Sequence, residues 1–267
     1  MLSRPSPPAD LTLRYGPGPQ QVADLRLPRG PAAAPAPLVL FLHGGFWRAA
    51  FDRTHTGPLA VALTQAGYPV CVPEFRRTGD GGGWPATFDD IAAAVDRLPA
   101  LAAEAAGPGQ VAPGPVILAG HSAGGQLALW AEARHRLPPD SPWYTPAGQY
   151  RGIVALAPVS DLAACYTEDL DHGAAQALLG GGPADHPDRY ARTDPSRLGP
   201  PGAPVHLLHG TRDDRVPCPM SRAYTSQMTG QGGPVTFHEL DCGHFELIDP
   251  LTQAWSRVLA AFQALSP

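Results

Sequence analysis

The five residues Gly120-His121-Ser122-Ala123-Gly124 constrain this chain more than any other stretch. An apolar run, VILA (116–119), leads into them, and a helix-like run, residues 123–136, leads out. A strand must therefore become a helix around a single serine. Glycines two places before and after that serine are needed because the backbones approach too closely for side chains. The sharp turn lifts Ser122 Oγ clear of the sheet. The helix amino terminus behind it offers backbone N–H groups and the positive end of a dipole to any developing anion.

The rest of the chain reads in the same frame. LVLFLHGG (38–45), VILAGHS (116–122), IVALAPVS (153–160) and VHLLHG (205–210) are short, unalternating and rich in β-formers, as strands covered on both faces are. YPVCVPEF (68–75) and VTFHEL (235–240) add two more, and the alternating LTLRY (11–15) and VADLRL (22–27) read as an antiparallel edge pair. Helical patterns fall between them at 54–66, 87–98, 123–136, 220–229 and 251–265, the second opening with Thr87 and Asp90 at capping-box spacing. Strand and helix in alternation imply right-handed crossovers. The expected fold is a three-layer α/β/α sandwich with a mostly parallel sheet of about eight strands. Its 267 residues suit one domain, 1–267. The Pro/Ala-rich stretch 28–37 reads as a rigid loop. Residues 161–204 exceed an ordinary loop, hold one short helix near 174–179, and read as a cap or lid insertion.

A serine hydroxyl attacks well only when a base takes its proton and a third group orients that base. In this arrangement the acid and then the histidine follow at the ends of later strands. HGTRDDRVP places Asp213 after strand 205–210, with Asp214 as the rival acid directed to solvent or Arg215. DCGHFELIDP places His244 after the last strand; among ten histidines it alone joins that position to a preceding glycine. His43 precedes two glycines, His121 lies in the elbow, and His206 and His209 read as structural strand residues. LHGGFW (42–47) exposes N–H groups at the same sheet edge, so Gly45, Phe46 and Ala123 are the candidate oxyanion donors.

Together HGGFW, GHSAGG, GTRDDRVP and CGHFELID resemble the α/β-hydrolase superfamily, from about residue 38 to the carboxyl terminus. They look most like its kynurenine formamidase (arylformamidase) and hormone-sensitive-lipase-like esterase branches. The resemblance implies Ser122, Asp213 and His244 as a catalytic triad and Gly45, Phe46 and Ala123 as the oxyanion hole, with no cofactor. HGG followed by aromatic-Trp, and HFELI after the histidine, are similar to the formamidase branch. The third glycine of HGGG esterases is replaced by Phe46.

Phe46, Trp47, Phe75 and Trp84 are the candidate substrate-binding aromatics, with core packing as their other reading. Arg76 and Arg77 either meet a substrate carboxylate or pair with Glu74, Asp89 or Asp90. No metal site is expected: DLDH (169–172) and DHPD (185–188) lack helix-borne ligand spacing. GDGGGW lacks the Lys-Ser/Thr of a phosphate loop. A net charge of -5, with every basic residue an Arg, gives no nucleic-acid footprint. No run reaches the ~20 apolar residues of a membrane span, and no amino-terminal stretch reads as a signal peptide. The four cysteines lack CxxC spacing, so a cytoplasmic protein is expected. Oligomeric state is left open, a homodimer included. The reading is a serine hydrolase of small, short-acyl ester or activated amide substrates. Its alternatives are an arylformamidase acting on N-formylkynurenine, a peptidase, and an inactive binding module.

Overall fold

Alternation along each strand decides the layering. In the computed structural model, which describes residues 4–5, 7–29, 36–148 and 150–266, the strands join in one sheet of eight among the described residues. These are β1 (Leu11–Arg14), β2 (Val22–Arg26), β3 (Val39–Leu42), β4 (Val70–Pro73), β5 (Val116–His121), β6 (Tyr150–Leu156), β7 (Val205–Gly210) and β8 (Val235–Leu240). Their order is β1-β2-β4-β3-β5-β6-β7-β8. β1 and β2 form the antiparallel edge pair, β2 meets β4 antiparallel, and every later pairing is parallel.

Helices cover both faces. Val39, Phe41, Ile117, Ala119 and Val154 pack with α1 (Gly57–Gln65) and α8 (Trp255–Ala264) on one side. Their alternates Leu40, Leu42, Leu118, Ile153 and Ala155 face α2 (Ala86–Ala106), α3 (Ala123–Ala133) and, further along, α7 (Cys218–Gly230). Burying each of these aliphatic side chains contributes about 1.5–3 kcal/mol, which is why runs apolar at every position settle in the sheet centre.

Three local expectations differ. The 87–98 helix begins at Ala86 with Pro85 as its uncapped amino terminus and continues through Pro99 to Ala106. Leu98 and Ala102, four residues apart, bury on the same core, and this offsets the hydrogen bond lost at the proline. Thr87 and Asp90 form no capping box: Thr87 Oγ donates to Arg76 O, and buried Asp90 receives the Arg76 guanidinium at 2.7 and 2.9 Å. The insertion holds three helices where one was expected: α4 (Leu162–Thr167), α5 (Ala174–Leu179) and α6 (Pro187–Thr193). Leu162, Cys165, Leu178, Leu179 and Tyr190 join the α2/α3 core. The Pro28–Pro37 loop falls mainly on residues 30–35, outside the described residues.

Candidate active site

The strand order reverses at β3, which lies between β4 and β5. A crevice opens at the carboxyl ends of the strands at such a point, where sheets of this kind bind ligands. β3 and β5 run in register to Leu42 opposite Gly120, so His43-Gly44-Gly45 and Ser122 emerge side by side. Ser122 has φ +57°, a conformation costing a non-glycine residue roughly 1–3 kcal/mol. Its N–H donates to Leu156 O at 2.8 Å, and its carbonyl accepts from Gln126 N and Val159 N, so the turn is held on both sides. The flanking glycines answer to different neighbours. A Cβ on Gly120 would lie 2.2 Å from Gly124 O, whereas one on Gly124 would lie 2.1 Å from Leu42 O on β3. The helix thus presses on the neighbouring strand as well as on its own.

Asp213 and His244 are brought together by the close approach of two loops: a Cβ on Gly210 would lie 2.2 Å from Cys242 O. Asp213 Oδ1 accepts from the backbone N–H groups of Arg215 (2.8 Å) and Val216 (2.9 Å). Its Oδ2 lies 2.6 Å from His244 Nδ1 and 3.1 Å from His209 Nε2. Burial alone would raise this carboxyl, but hydrogen bonds from His209 and His244 and the adjacent backbone N–H hold it far below the usual carboxylate range. Asp214 points to solvent, its side chain 75% exposed and 3.6 Å from Arg215 Nε. His244 opens a 3-10 turn, His244–Ile248, and its carbonyl accepts from His121 Nε2 at 3.1 Å.

Ser122 and His244 share the wall of one cavity of about 60 Å³ with Gly45 and Phe46. The turn that carries Gly45 and Phe46 is closed by Arg48 N donating to Gly45 O, and Phe46 and Trp47 both take positive φ. Gly44 admits no side chain, since a Cβ there would lie 2.9 Å from His121 O. The Gly45 and Phe46 amides hold no backbone acceptor among the described residues. Ala123, first residue of α3, has no intrahelical acceptor for its own. None of these three amides has a backbone acceptor among the described residues.

Of the four candidate substrate-binding aromatics, Phe46 alone lines this cavity. Trp47 is buried with its indole N–H on Gln126 Oε1, and Phe75 stacks on the His43 ring at 4.4 Å. Trp84 packs against Trp143 and Phe88 and lies beneath the Arg189 guanidinium. These three are packing residues. Arg76 pairs with Asp90, and Arg77 with Glu74 and the Phe51 carbonyl, so both are structural. The remaining lining residues are Phe51, His55 and Phe245, the buried His121 beside Ser122, and the more exposed Asp171 and Arg215 at the rim. Asp171 comes from the insertion and is clamped by the Arg48 guanidinium. Asp185 accepts from Gly182 N. Among the described residues no three His, Cys, Asp or Glu side chains gather as a metal cluster, and no helix is long and apolar enough to cross a membrane.

The BD-FAE family model matches residues 23–228. Esterase LipQ of Mycobacterium tuberculosis (strain ATCC 25618 / H37Rv) is 26% identical over 242 residues, which are 86% of this chain and 55% of that protein. The chain thus spans about half the length of the curated relative it matches. The fold is shared with solved structures. A truncated carbohydrate esterase from gut microbiota superposes with TM-score 0.79 at 18% identity, over 97% of this chain and 98% of that one. Esterase B from Lactobacillus rhamnosis (HN001) superposes with TM-score 0.76 at 19% identity, over 97% and 88%.

Proposed function

The chain belongs to the BD-FAE family, with the α/β-hydrolase fold, and we propose that it is a serine hydrolase of small, short-acyl carboxylic esters. The observation that carries this reading is the 2.6 Å contact of His244 Nδ1 with Asp213 Oδ2, beside the cavity that Ser122 and His244 share. An ionised carboxylate can only accept, so Nδ1 carries the hydrogen and Nε2 is left to take a proton. Ser122 Oγ then attacks the ester carbonyl as His244 Nε2 removes its proton. The tetrahedral oxyanion forms against the N–H groups of Gly45, Phe46 and Ala123. Loss of one such donor costs ~3 kcal/mol of transition-state stabilisation. The C–O bond to the alcohol breaks, His244 returns the proton to the leaving oxygen, and Ser122 keeps the acyl group. Water, deprotonated by the same imidazole, attacks that acyl carbon and restores the serine.

Size supports the short-acyl reading. A cavity of about 60 Å³ is small beside the ~300–1,000 Å³ of drug-sized ligand sites. Residues 161–204 serve as its cap, supported by Asp171 on the rim. The relatives named as esterases agree in reaction class. Four buried free cysteines favour a reducing cytoplasm. The test is kcat/KM for p-nitrophenyl butyrate beside N-formylkynurenine. The ester is expected to be the faster substrate; a faster formamide would move the enzyme to arylformamide hydrolysis.

A further inference from the structure

Asp213 Oδ2 has two imidazole neighbours, and the reaction proposed above uses one of them. The other, His209, carries the last side chain of β7 and is fully buried. Its Nε2 lies 2.9 Å from Val216 O and 3.1 Å from Asp213 Oδ2. A carbonyl can only accept, so this nitrogen carries a hydrogen, donated to Val216 O with Asp213 Oδ2 beside it. Its Nδ1 lies 2.7 Å from Ser221 Oγ on α7, also fully buried. Both ring nitrogens are thus engaged and the ring cannot turn. The loop folds back so that Asp213, four residues later, meets the last side chain of its own strand.

We infer that His209 is a positioning residue of the proposed triad: it grips Asp213 Oδ2 from the core, fixing the carboxylate and dividing its charge between two imidazoles. The inference rests on Asp213 being the triad acid. Two hydrogens on one carboxylate oxygen leave less of its charge for either. Without His209, the whole of that charge faces His244 and favours its protonated form. Proton release from the base would then need a higher pH, and a carboxylate fixed from the backbone side alone, through Oδ1, would orient the imidazole less well. The other charged or titratable groups around Asp213 and His244 are Cys218, Cys242 and His121 and, across the shared cavity, His55, Asp171 and Arg215. Burial raises both thiols, that of Cys242 to about 11, and burial together with His244 lowers His121.

The test uses the full chain and kcat/KM for p-nitrophenyl butyrate from about pH 5 to 9. His209→Leu is expected to lower kcat about tenfold with little change in KM and to move the acid limb up by about half a pH unit. In His209→Gln the carboxamide N–H reaches about as far as Nε2 did and restores both rate and limb. Should the leucine variant fail to fold, His209→Asn replaces it, its shorter amide stopping at the Ser221 side. An acid limb that stays in place in the leucine or asparagine variant, or a glutamine variant no better than either, overturns the positioning role. Asp213→Asn separates the two readings: full activity there removes the triad assignment itself. A crippled Asp213→Asn beside His209 variants with unmoved limbs removes only the role of His209.

Discussion

Replacing Asp213 by asparagine exchanges one carboxylate oxygen for an NH₂ group, and all the neighbours of that carboxylate are donors. Oδ1 accepts from the amides of Arg215 and Val216 at 2.8 and 2.9 Å; Oδ2 accepts from His244 Nδ1 at 2.6 Å and lies 3.1 Å from His209 Nε2. Backbone amides cannot surrender their hydrogens, so the asparagine carbonyl stays with them and its NH₂ turns toward the imidazoles. Two N–H groups cannot face each other at that distance. His244 must then move its hydrogen to Nε2, and an Nε2 that carries a hydrogen cannot take one from Ser122. A wrong tautomer of this kind costs about 10,000-fold in kcat. At ~1.36 kcal/mol per factor of ten, that is about 5 kcal/mol of transition-state stabilisation. The control is Asp214→Asn, whose side chain is 75% exposed near Arg215 and whose change is expected to stay within about twofold. The assay is kcat/KM for p-nitrophenyl butyrate, corrected for folded protein by circular dichroism. A loss below tenfold at position 213, or a larger loss at 214 than at 213, would refute the assignment.

Gly124→Ala places a Cβ 2.1 Å from the Leu42 carbonyl, a backbone atom that cannot swing away. Stability is expected to fall by about 3 kcal/mol or more, and an unchanged urea midpoint would contradict the packing described. Across p-nitrophenyl esters, a cavity of about 60 Å³ predicts kcat/KM peaking at or before butyryl. Each methylene that fits adds about 0.8 kcal/mol, and each that does not adds strain; a steady rise to twelve or more carbons would sink the small-cavity account. Burial and the neighbouring His43 lower His55 to about 4, and burial and His244 lower His121 well below the usual 6.5. On acidification below about 6.5 the unfolded chain gains protons that the folded one refuses, so this stability is complete above that pH and lost toward 4. For His55 the loss by about pH 4 is on the order of 3 kcal/mol. The urea midpoint at pH 5 is expected to lie below that at pH 7.5, and an equal or higher value would contradict it.

Much of the frame was legible because it is written in local order. Runs apolar at every position, such as Val39–Leu42, must be strands covered twice, and the succession of such strands dictates where loops carrying Ser122, Asp213 and His244 emerge. What escaped is contact between distant segments. Alternation places His209 on one face of its strand but is silent on a carboxylate that folds back over it. Trp47, Phe75 and Trp84 follow or precede loops at the same edge as Phe46, yet only the folded chain distinguishes an aromatic facing a crevice from one stacked on His43 or Trp143. Asp171 reaches the rim through its pairing with Arg48, 123 residues away, and no periodicity records such a pair. Thr87 and Asp90 show the converse error. Their spacing fits a capping box, but the Arg76 backbone and guanidinium claim both side chains first.

The central claim is that Ser122 is the nucleophile, and covalent labelling tests it most directly. A fluorophosphonate reacts with an activated serine by losing fluoride and forming a P–O bond to Oγ. Peptide mass mapping of the labelled chain is expected to place one adduct on Ser122, with ester hydrolysis abolished in step with labelling, and Ser122→Ala is expected to show neither adduct nor turnover. An adduct on a different residue, or an alanine variant that still hydrolyses p-nitrophenyl butyrate at the wild-type rate, would contradict the account.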